Sequence, residues 1–502
     1  MIDRLARSDG AVYLLLAAYF IINILLRLAA PASLELDEGQ QLFFAQWLAP
    51  GYDSQPPFYN WVQYGFVQLL GSSMLAISLL KNLMLFLSYL LFGLTAHLII
   101  RDRTLAIIAT LALITIPQIG YEAQRDLTHT VAVLFSACMF AFFFFRALQQ
   151  PTALNYAFVG VAIGFGILSK YNFVLLPLAA ALALLPDRTL RARLIDPRVL
   201  LAIAISALIV LPHAFWLLGH MDQATGRTLR KLTADAGSGR FDQIATGVVS
   251  LVGAMAAFCV PTLVVFAIAF ARALPRAWTA ENEWTRLIGR IFLAALVLLL
   301  LIVLAGASNI KDRWLVPLFF LLPIYLCAKI EAAGETVAGA SRRFAVVILA
   351  VMAIVPLVLF TRPAILGAMG KYGKQNVPYG PATAEILASG SNRPSIILAI
   401  DHQLAGNLRL HEEGIPVTVA GYEAFERPFA FDDEHPILAV WRRRDGAPSN
   451  NPSGGMWTWL NDKGGLSDRA LEVGDAALPY HYGRDGDLYH FSYAWIYPDK
   501  AP

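Results

Sequence analysis

The stretch AVYLLLAAYFIINILLRLAAPASLELDEGQ, residues 11–40, sets the fold class of this chain. Residues 11–30 carry a single charge, Arg27, and are long enough to cross a hydrocarbon core of about 30 Å. Similar apolar stretches recur along the chain. The sequence therefore predicts a polytopic α-helical membrane protein with eleven spans, at 11–30, 75–100, 104–119, 127–145, 154–168, 172–186, 198–218, 244–271, 291–307, 314–328 and 344–361.

The composition supports a membrane protein and excludes other classes. Hydrophobic residues make up 57% of the 502 residues and charged residues 15%, whereas soluble proteins have about 25% charged residues. A formal net charge of +3 gives no basic surface for nucleic acid. The three cysteines, Cys138, Cys259 and Cys327, stand apart in apolar runs, which excludes a disulfide framework and a thiolate metal site.

Lysine and arginine residues set the predicted orientation. With the N-terminus inside, the inner segments carry sixteen of them and the outer loops before the last span carry eight. Cytoplasmic loops of membrane proteins carry the excess of these residues. We therefore expect a cytoplasmic N-terminus, retained as an anchor because no small-residue cleavage site follows Arg4 and Arg7, and a C-terminus on the outer side.

After Arg362 the sequence changes to Gly, Pro, Asn and charged residues with short alternating runs. Such runs are typical of β-strands, and they fall at 395–400, 416–421, 436–441 and 487–497. The sequence therefore predicts two domains, a membrane module over 1–361 and a small outer α/β domain over 362–502. The membrane part shows no convincing internal repeat, which counts against a transporter built from inverted repeats.

The first outer loop, residues 31–74, is acidic and aromatic, and it contains no Lys or Arg. Two uncharged, aromatic-rich stretches in it, 40–49 and 58–70, are too short and too polar to cross a bilayer. We expect both to form helices that lie in the membrane interface. Packing against other loops is the alternative.

Asp37 and Glu38 stand where the first span emerges into this loop. Either they are solvated carboxylates, or they face a cavity whose chemistry needs a base. Because the loop has no cation of its own, their partners must come from elsewhere in the fold. Arg27 and Lys81, near the outer ends of their spans, are the candidates, unless these side chains snorkel to the interface.

Cations on the outer side cluster in three other places. Lys170 lies in SKY, and Lys311 and Arg313 lie in NIKDRW, both very short turns between spans. Short turns hold a charge near the bundle axis, where these cations would meet a polyanion. Arg230 lies in the longer loop 219–243 and either binds the same anion or pairs with lipid headgroups.

Arg125 and Asp126 begin the fourth predicted span, and they form either a mutual ion pair or, through Asp126, a second carboxylate of the site. His129 and His213 lie in spans and are interpreted as hydrogen-bonded interior histidines. No His-rich ligand set accompanies the acids. The sequence therefore indicates no required cofactor and leaves open a divalent metal beside the first-loop acids and Asp126.

These motifs resemble the GT-C class of membrane glycosyltransferases, specifically the bacterial relatives of protein O-mannosyltransferases and of the lipid A aminoarabinose transferase. The resemblance covers most of residues 1–330. It rests on ELDEGQ at 35–40, QPPFYNWV at 55–62, RD at 125–126, SKY at 169–171 and KDRW at 311–314. Relatives that transfer aminoarabinose often have Lys where this chain has Gln55, which weakens the case for the same sugar.

The resemblance implies roles for individual residues. In that family an acidic residue of the first outer loop is the catalytic base, which falls on Asp37, and Glu38 and Asp126 complete the expected catalytic set. The expected donor-phosphate ligands are Lys170, Arg230, Lys311 and Arg313. The expected substrate-binding residues are Gln55, Tyr59 and Arg125.

The expected reaction is an inverting transfer from a polyprenyl-phosphate sugar, because no nucleotide sugars occur outside the cytoplasmic membrane. Asp37 would accept the proton of the acceptor hydroxyl, while the cations stabilise the leaving phosphate. The expected acceptor group is a hydroxyl or phosphate of lipid A, lipopolysaccharide or another envelope glycan on the periplasmic side of the bacterial inner membrane. The alternatives are a protein O-glycosyltransferase, a secondary transporter or lipid flippase, and a non-catalytic scaffold that binds cell-wall polymer.

Overall fold

The structure is a computed structural model that describes residues 2–6, 8, 10–221, 239–335, 338–422, 425–443, 445–466 and 471–498. Helices dominate this described part. In chain order they are α1 Ile2–Leu5, α2 Ala11–Ala29, α3 Leu36–Phe44, α4 Phe58–Leu70, α5 Met74–Ile99, α6 Arg103–Ala112, α7 Ala123–Arg125, α8 Thr128–Gln149, α9 Ala153–Ser169, α10 Leu175–Leu184, α11 Arg188–Arg191, α12 Arg198–Gly219, α13 Arg240–Phe270, α14 Leu274–Thr279, α15 Glu283–Leu304, α16 Val316–Phe319, α17 Leu322–Ala332, α18 Ala338–Ala368, α19 Tyr379–Ala388, α20 His402–His411 and α21 Gly454–Gly464.

The chain forms two compact units. The first unit comprises Met1–Asn23, Ala49–Tyr59 and Lys81–Val355. The second unit comprises Ile24–Leu48, Asn60–Leu80 and Pro356–Pro502. The C-terminal residues therefore share a unit with two segments of the acidic first loop and its flanking helices.

Seven helices of the described part are long and apolar enough to cross a membrane, and each coincides with a predicted span. They are α2, α5, α8, α12, α13, α15 and α18. The predicted span 104–119 is instead a bent pair of helices with an angle of 70° between them, which makes eight spans if the pair is counted as one. The membrane class is thus confirmed.

The remaining predicted spans are shorter helices. The stretches 154–168 and 172–186 coincide with the apolar helices Ala153–Ser169 and Tyr171–Leu184. The last of them, 314–328, covers the short helix α16 and most of α17. Because each of these helices is shorter than a membrane crossing usually requires, the number eleven stays a prediction.

The bend before α7 follows from its residues. Pro117 has no backbone N–H with which to continue an α-helix, and Gln118–Glu122 form a π-helical turn. A Cβ on Gly120 would collide with the carbonyl oxygen of Ile114, so glycine is required there. Turns of this kind are frequent at functional sites, and this one leads directly into the RD motif.

Small residues let the helices of the first unit approach closely. A Cβ on Gly160 would collide with the backbone of Ala202 in α12. A Cβ on Gly164 would lie 2.8 Å from the Ile209 side chain. Close approach through small residues drives helix association in membranes, and here it holds α9 against α12.

The second unit contains a five-stranded sheet with the order β2-β1-β3-β5-β4. The strands are β1 Ile396–Ala399, β2 Val417–Val419, β3 Ile437–Trp441, β4 Gly474–Pro479 and β5 Leu488–Ile496. β1 pairs in parallel with β2 and β3, while β5 pairs antiparallel with β3 and β4. Helix α20 connects β1 to β2, and Met456 and Trp459 of α21 share a core with Ile437 and Trp441.

The four predicted strands coincide with β1, β2, β3 and β5, so the small α/β part is confirmed. β4 was not predicted, because its sequence GDAALP contains neither β-branched nor aromatic residues. The helix predicted over 58–70 is confirmed as α4. The stretch 40–49 is helical only as far as Phe44, and its helix begins earlier, at Leu36.

Candidate active site

Helix α3 carries the acidic residues of the ELDEGQ motif in its first turn. Glu35 is the N-cap, and the Glu38 carboxylate accepts a hydrogen bond of 3.2 Å from the Glu35 N–H. Arg362 forms an ion pair with Glu35 at 3.4 Å. Glu38 is fully buried, whereas Asp37 beside it is half-buried. The motif therefore supplies one accessible and one buried carboxylate, both at the helix end that favours negative charge.

Arg27 holds the buried carboxylate. Its Nη2 lies 2.8 Å from Glu38 Oε2, and the same guanidinium donates to the carbonyl oxygens of Pro31 at 3.1 Å and Ser33 at 2.9 Å. The predicted pairing of Arg27 with the first-loop acids is confirmed. This ion pair joins the end of α2 to the start of α3, which gives Glu38 a positioning role. Its catalytic role stays a prediction.

Helix α3 crosses α20 at two glycines. A Cβ on Gly406 would collide with the backbone of Gly39, and a Cβ on Gly39 would lie 2.8 Å from the Gln403 Cα. Gln403 Nε2 donates to the Leu34 carbonyl oxygen at 2.9 Å, and the Leu34 N–H donates to Asn407 Oδ1 at 2.9 Å. Helix α20 therefore fixes the backbone of the segment that carries the ELDEGQ motif.

The chain after α3 is held by the sheet and by aromatic rings. The Gln46 amide exchanges two hydrogen bonds with Val417 of β2, of 3.0 and 3.1 Å. The His402 ring stacks on Phe43 with 5.1 Å between ring centres, and the Tyr422 ring meets His402 edge-on at 4.6 Å. The contacts of Gln46 and Phe43 join segments more than 350 residues apart. The sequence carried no motif that could have revealed them.

In the first unit, the RD motif follows the bend. Arg125 forms an ion pair of 2.9 Å with Glu122, one turn earlier. Asp126 is buried, and Leu127 adopts a left-handed conformation with φ 62°. Such a backbone is rare for a bulky residue and is concentrated at functional sites. It turns the chain from α7 into α8 directly after the buried Asp126.

Lys170 lies between α9 and α10, in the short turn that the sequence predicted. Its side chain is buried, and its ammonium donates a hydrogen bond of 2.6 Å to Thr130 Oγ1 in the first turn of α8. Burial between two packed helices restricts the long side chain to one position. A lysine held in this way offers a localised positive charge to a ligand.

Two hydrogen bonds connect the cationic turns of the first unit. Asn172 Nδ2, beside the Lys170 turn, donates to the Trp314 carbonyl oxygen at 2.9 Å. Gln118 Nε2, in the bend before the RD motif, donates to Asp312 Oδ2 at 2.7 Å. The turn 311–314 is therefore attached to both of the other motifs. Three motifs that are far apart in the sequence come together in one unit.

Lys311 and Arg313 have charges that no side chain compensates in the part of the chain that the structure describes. Lys311 is exposed and Arg313 is half-buried. The carboxylate between them, Asp312, is engaged by Gln118. The two cations are therefore available to an anion, and the guanidinium fork suits a phosphate or carboxylate.

The QPPFYNWV motif is anchored in the first unit up to Tyr59. Phe58 stacks on Phe165 with 4.5 Å between ring centres. Tyr59 is fully buried, with its ring centre 6.2 Å from that of His129. Gln55 is half-buried. Of the two predicted substrate-binding residues of this motif, Gln55 is the one with accessible surface.

His213 connects the same segment to the Lys170 turn. Its Nδ1 donates to the Pro50 carbonyl oxygen at 2.8 Å, since a carbonyl only accepts. Its Nε2 then accepts from the Tyr171 hydroxyl at 3.0 Å. The prediction of a hydrogen-bonded interior histidine is confirmed for His213.

Two further predictions concern Arg230 and a divalent metal. Arg230, the fourth expected phosphate ligand, lies outside the described residues. Among the residues that are described, no three His, Cys, Asp or Glu side chains are grouped so that they could hold a metal ion.

Comparisons with known proteins point to one family. Over 497 residues, 99% of each chain, the sequence is 48% identical to the lipopolysaccharide core galacturonosyltransferase RgtB of Rhizobium johnstonii. Over 501 residues, 99% of this chain and 100% of the relative, it is 40% identical to the lipopolysaccharide core galacturonosyltransferase RgtA of the same organism. Residues 54–216 match the family described as dolichyl-phosphate-mannose-protein mannosyltransferase.

A solved structure shares the fold. The crystal structure of ArnT from Cupriavidus metallidurans bound to undecaprenyl phosphate aligns with a TM-score of 0.60 at 13% identity. The alignment covers 97% of this chain and 98% of that chain. The fold of this chain, including the C-terminal sheet, is therefore similar to that of ArnT.

Proposed function

The chain belongs to the family of the lipopolysaccharide core galacturonosyltransferases RgtA and RgtB, and on this premise we propose that it transfers galacturonic acid to lipopolysaccharide. The family is one of GT-C membrane glycosyltransferases. We take the donor to be a polyprenyl-phosphate galacturonate, since the ArnT structure of the same fold holds undecaprenyl phosphate. We place the reaction on the periplasmic side of the inner membrane, with a sugar hydroxyl of the core or of lipid A as acceptor.

The main support for this proposal is the group of cations on the connected turns of the first unit. The connected turns of the first unit hold Lys170, Lys311 and Arg313, and the last two have no side-chain partner in the described part of the chain. The proposed donor carries two anionic groups, the phosphate and the uronate carboxylate. Charge-assisted hydrogen bonds to such groups are about twice as strong as neutral ones. Several cations on connected turns suit a doubly anionic donor better than a neutral sugar.

In the proposed mechanism, Asp37 accepts the proton of the acceptor hydroxyl as its oxygen attacks the anomeric carbon. The bond between that carbon and the phosphate oxygen breaks, and the polyprenyl phosphate leaves with the electron pair. The cations stabilise the charge that develops on the leaving phosphate. A phosphate needs no proton to leave, so one base suffices, and the anomeric configuration is inverted.

The test uses the purified full chain with a polyprenyl-phosphate galacturonate donor and lipopolysaccharide that lacks the modification. Asp37→Asn should lower kcat about 10²–10⁴-fold, the usual contribution of a general base. Lys311→Gln and Arg313→Gln should raise the KM for the donor. The exposed Asp462→Asn in α21 is the matched control and should leave both constants unchanged.

Three results would contradict the proposal. They are near wild-type turnover by Asp37→Asn, retention of the anomeric configuration in the product, and equal use of a neutral galactosyl donor. Transfer to a protein hydroxyl in place of lipopolysaccharide would favour the alternative acceptor that the mannosyltransferase family match suggests.

A further inference from the structure

The first unit contains a cavity of about 170 Å³ that the proposed reaction does not use. It lies among α8, α9, α10 and α12 and runs along α8 from Phe140 to Leu148, about 12 Å at 1.5 Å per residue. Thr130, which holds Lys170, is on the same helix but ten residues before Phe140, the first cavity residue of α8, a separation of about 15 Å. The cavity and the cationic turns are therefore different places.

The cavity wall is almost entirely hydrocarbon. Phe140, Phe144, Ile163 and Leu184 are among the side chains that line it. An apolar cavity of about 150 Å³ stays dry and takes up a hydrocarbon guest, because its lining otherwise lacks contacts. Ile203, also in the wall, is 59% exposed, so the cavity opens on the lipid-facing side of the helices. This geometry suits a flexible hydrocarbon chain.

Uncompensated positive charge borders the cavity. Arg193 lines it and belongs to the polar segment between α10 and α12. In the described chain neither Arg193 nor its exposed neighbours Arg188 and Arg191 has a side-chain partner. The two acids of this segment are already engaged: Asp187 caps α11 and Asp196 pairs with Arg198 at 3.3 Å. The remaining charge therefore favours an anionic ligand.

We propose that this cavity binds an anionic phospholipid of the surrounding membrane. One acyl chain occupies the cavity, and the phosphate is held by Arg193, with Arg188 and Arg191 adding to the local positive potential. The donor lipid does not suit this position, because its phosphate is needed at the reacting sugar and the cavity begins about 15 Å beyond Thr130 along α8. The bound phospholipid fills the space between α8, α9, α10 and α12 and thereby stabilises the first unit.

The experiment measures lipid retention by native mass spectrometry of the purified full chain. Phosphatidylglycerol and phosphatidylcholine with identical acyl chains are titrated in turn. Wild-type protein should retain phosphatidylglycerol preferentially. Arg193→Gln should weaken retention about fivefold, the usual effect of one cation at a membrane surface. Ala181→Trp, which fills the cavity from α10, should prevent retention.

Each control makes the same kind of substitution as a test variant, at a position away from the cavity. Arg272→Gln removes an exposed arginine elsewhere in the first unit, and Ala257→Trp adds an indole to an exposed position of α13. Both should retain phosphatidylglycerol as the wild type does. If Ala181→Trp does not fold, Ala181→Phe takes its place with the same expectation. The Arg193→Gln measurement is independent of either.

Equal retention of the two lipids, or unchanged retention by Arg193→Gln and by the cavity-filling variant, would overturn the proposal. So would displacement of phosphatidylglycerol by stoichiometric polyprenyl phosphate, since the cavity would then belong to the donor. The readout involves no sugar transfer, so its failure is distinguishable from failure of the proposed function.

Discussion

Asp37 and Glu38 are adjacent carboxylates with different surroundings. Glu38 is buried, accepts from the N-cap backbone and holds Arg27, while Asp37 keeps accessible surface. Neighbouring carboxylates commonly divide their roles according to environment. At the scale of single residues, we therefore assign proton transfer to Asp37 and positioning of the loop to Glu38.

We predict that Glu38→Gln destabilises the protein more than it slows the reaction. The amide leaves Arg27 charged and only 12% exposed without its counter-ion, at a cost of roughly 3–5 kcal/mol, because breaking a buried pair leaves an uncompensated charge. Thermal unfolding followed by tryptophan fluorescence measures the loss. The double variant Arg27→Gln, Glu38→Gln should recover part of it. A loss of stability in the double variant equal to the sum of the two single losses would contradict this assignment.

At the scale of elements, the crossing of α3 and α20 determines where the proposed base, Asp37, is held. The crossing has no room for a side chain, since a Cβ on Gly406 would collide with the backbone of Gly39. We predict that Gly406→Ala separates the two helices and lowers kcat about 10–100-fold with little change in the KM for the donor. Displacement of a reacting group by about 1 Å has effects of this size.

The matched control is Gly454→Ala in α21, where an added Cβ would meet open space. It should have no effect on kcat. An unchanged kcat in the folded Gly406→Ala variant would mean that α20 does not position Asp37.

His411, at the C-terminal end of α20, should make the stability of the protein depend on pH. His411 Nε2 donates to the Ala32 carbonyl oxygen at 3.0 Å, a hydrogen bond that favours the protonated ring. Burial outweighs this hydrogen bond and lowers the pKa of His411 below its usual value, and the nearby His481 lowers the pKa further. A lowered pKa in the folded state means that stability is present above the unfolded pKa of about 6.5 and is lost as the pH falls through the folded value.

We therefore expect the melting temperature to fall between pH 7 and pH 5, and His411→Gln to reduce this fall. Unfolding curves across that range test the expectation. A variant with the same pH dependence as the wild type would show that another group is responsible.

At the scale of the whole molecule, residues 24–48 and 60–80 belong to the same compact unit as the C-terminal residues. Leu34 and Leu42 share a core cluster with Val67 and are packed by Leu410 of α20. We predict that a chain ending at residue 361 is inactive and that its first loop is cleaved rapidly by protease. A truncated chain with normal turnover would show that the C-terminal residues are dispensable.

Much of this architecture is readable from local sequence. Apolar length predicts the spans, alternation predicts β1, β2, β3 and β5, and the order of motifs predicts the family, because each of these signals lies within a short stretch of chain. The exceptions are also local: Pro117 and Gly120 bend one predicted span, and β4 lacks the residues that usually mark a strand.

The partners of each side chain depend instead on which distant segments meet. Three features of this kind are tertiary contacts. Glu38 is the counter-ion of Arg27, and α3 crosses α20 at two glycines. The KDRW turn is connected to the segments of the SKY and RD motifs. The hydrophobic pattern of a helix or strand shows which of its faces is buried. It does not show which segment covers that face, because the hydrophobic effect is non-directional. Hydrogen bonds and ion pairs have direction and short range, so only the folded chain selects among the carboxylates and cations that the sequence offers.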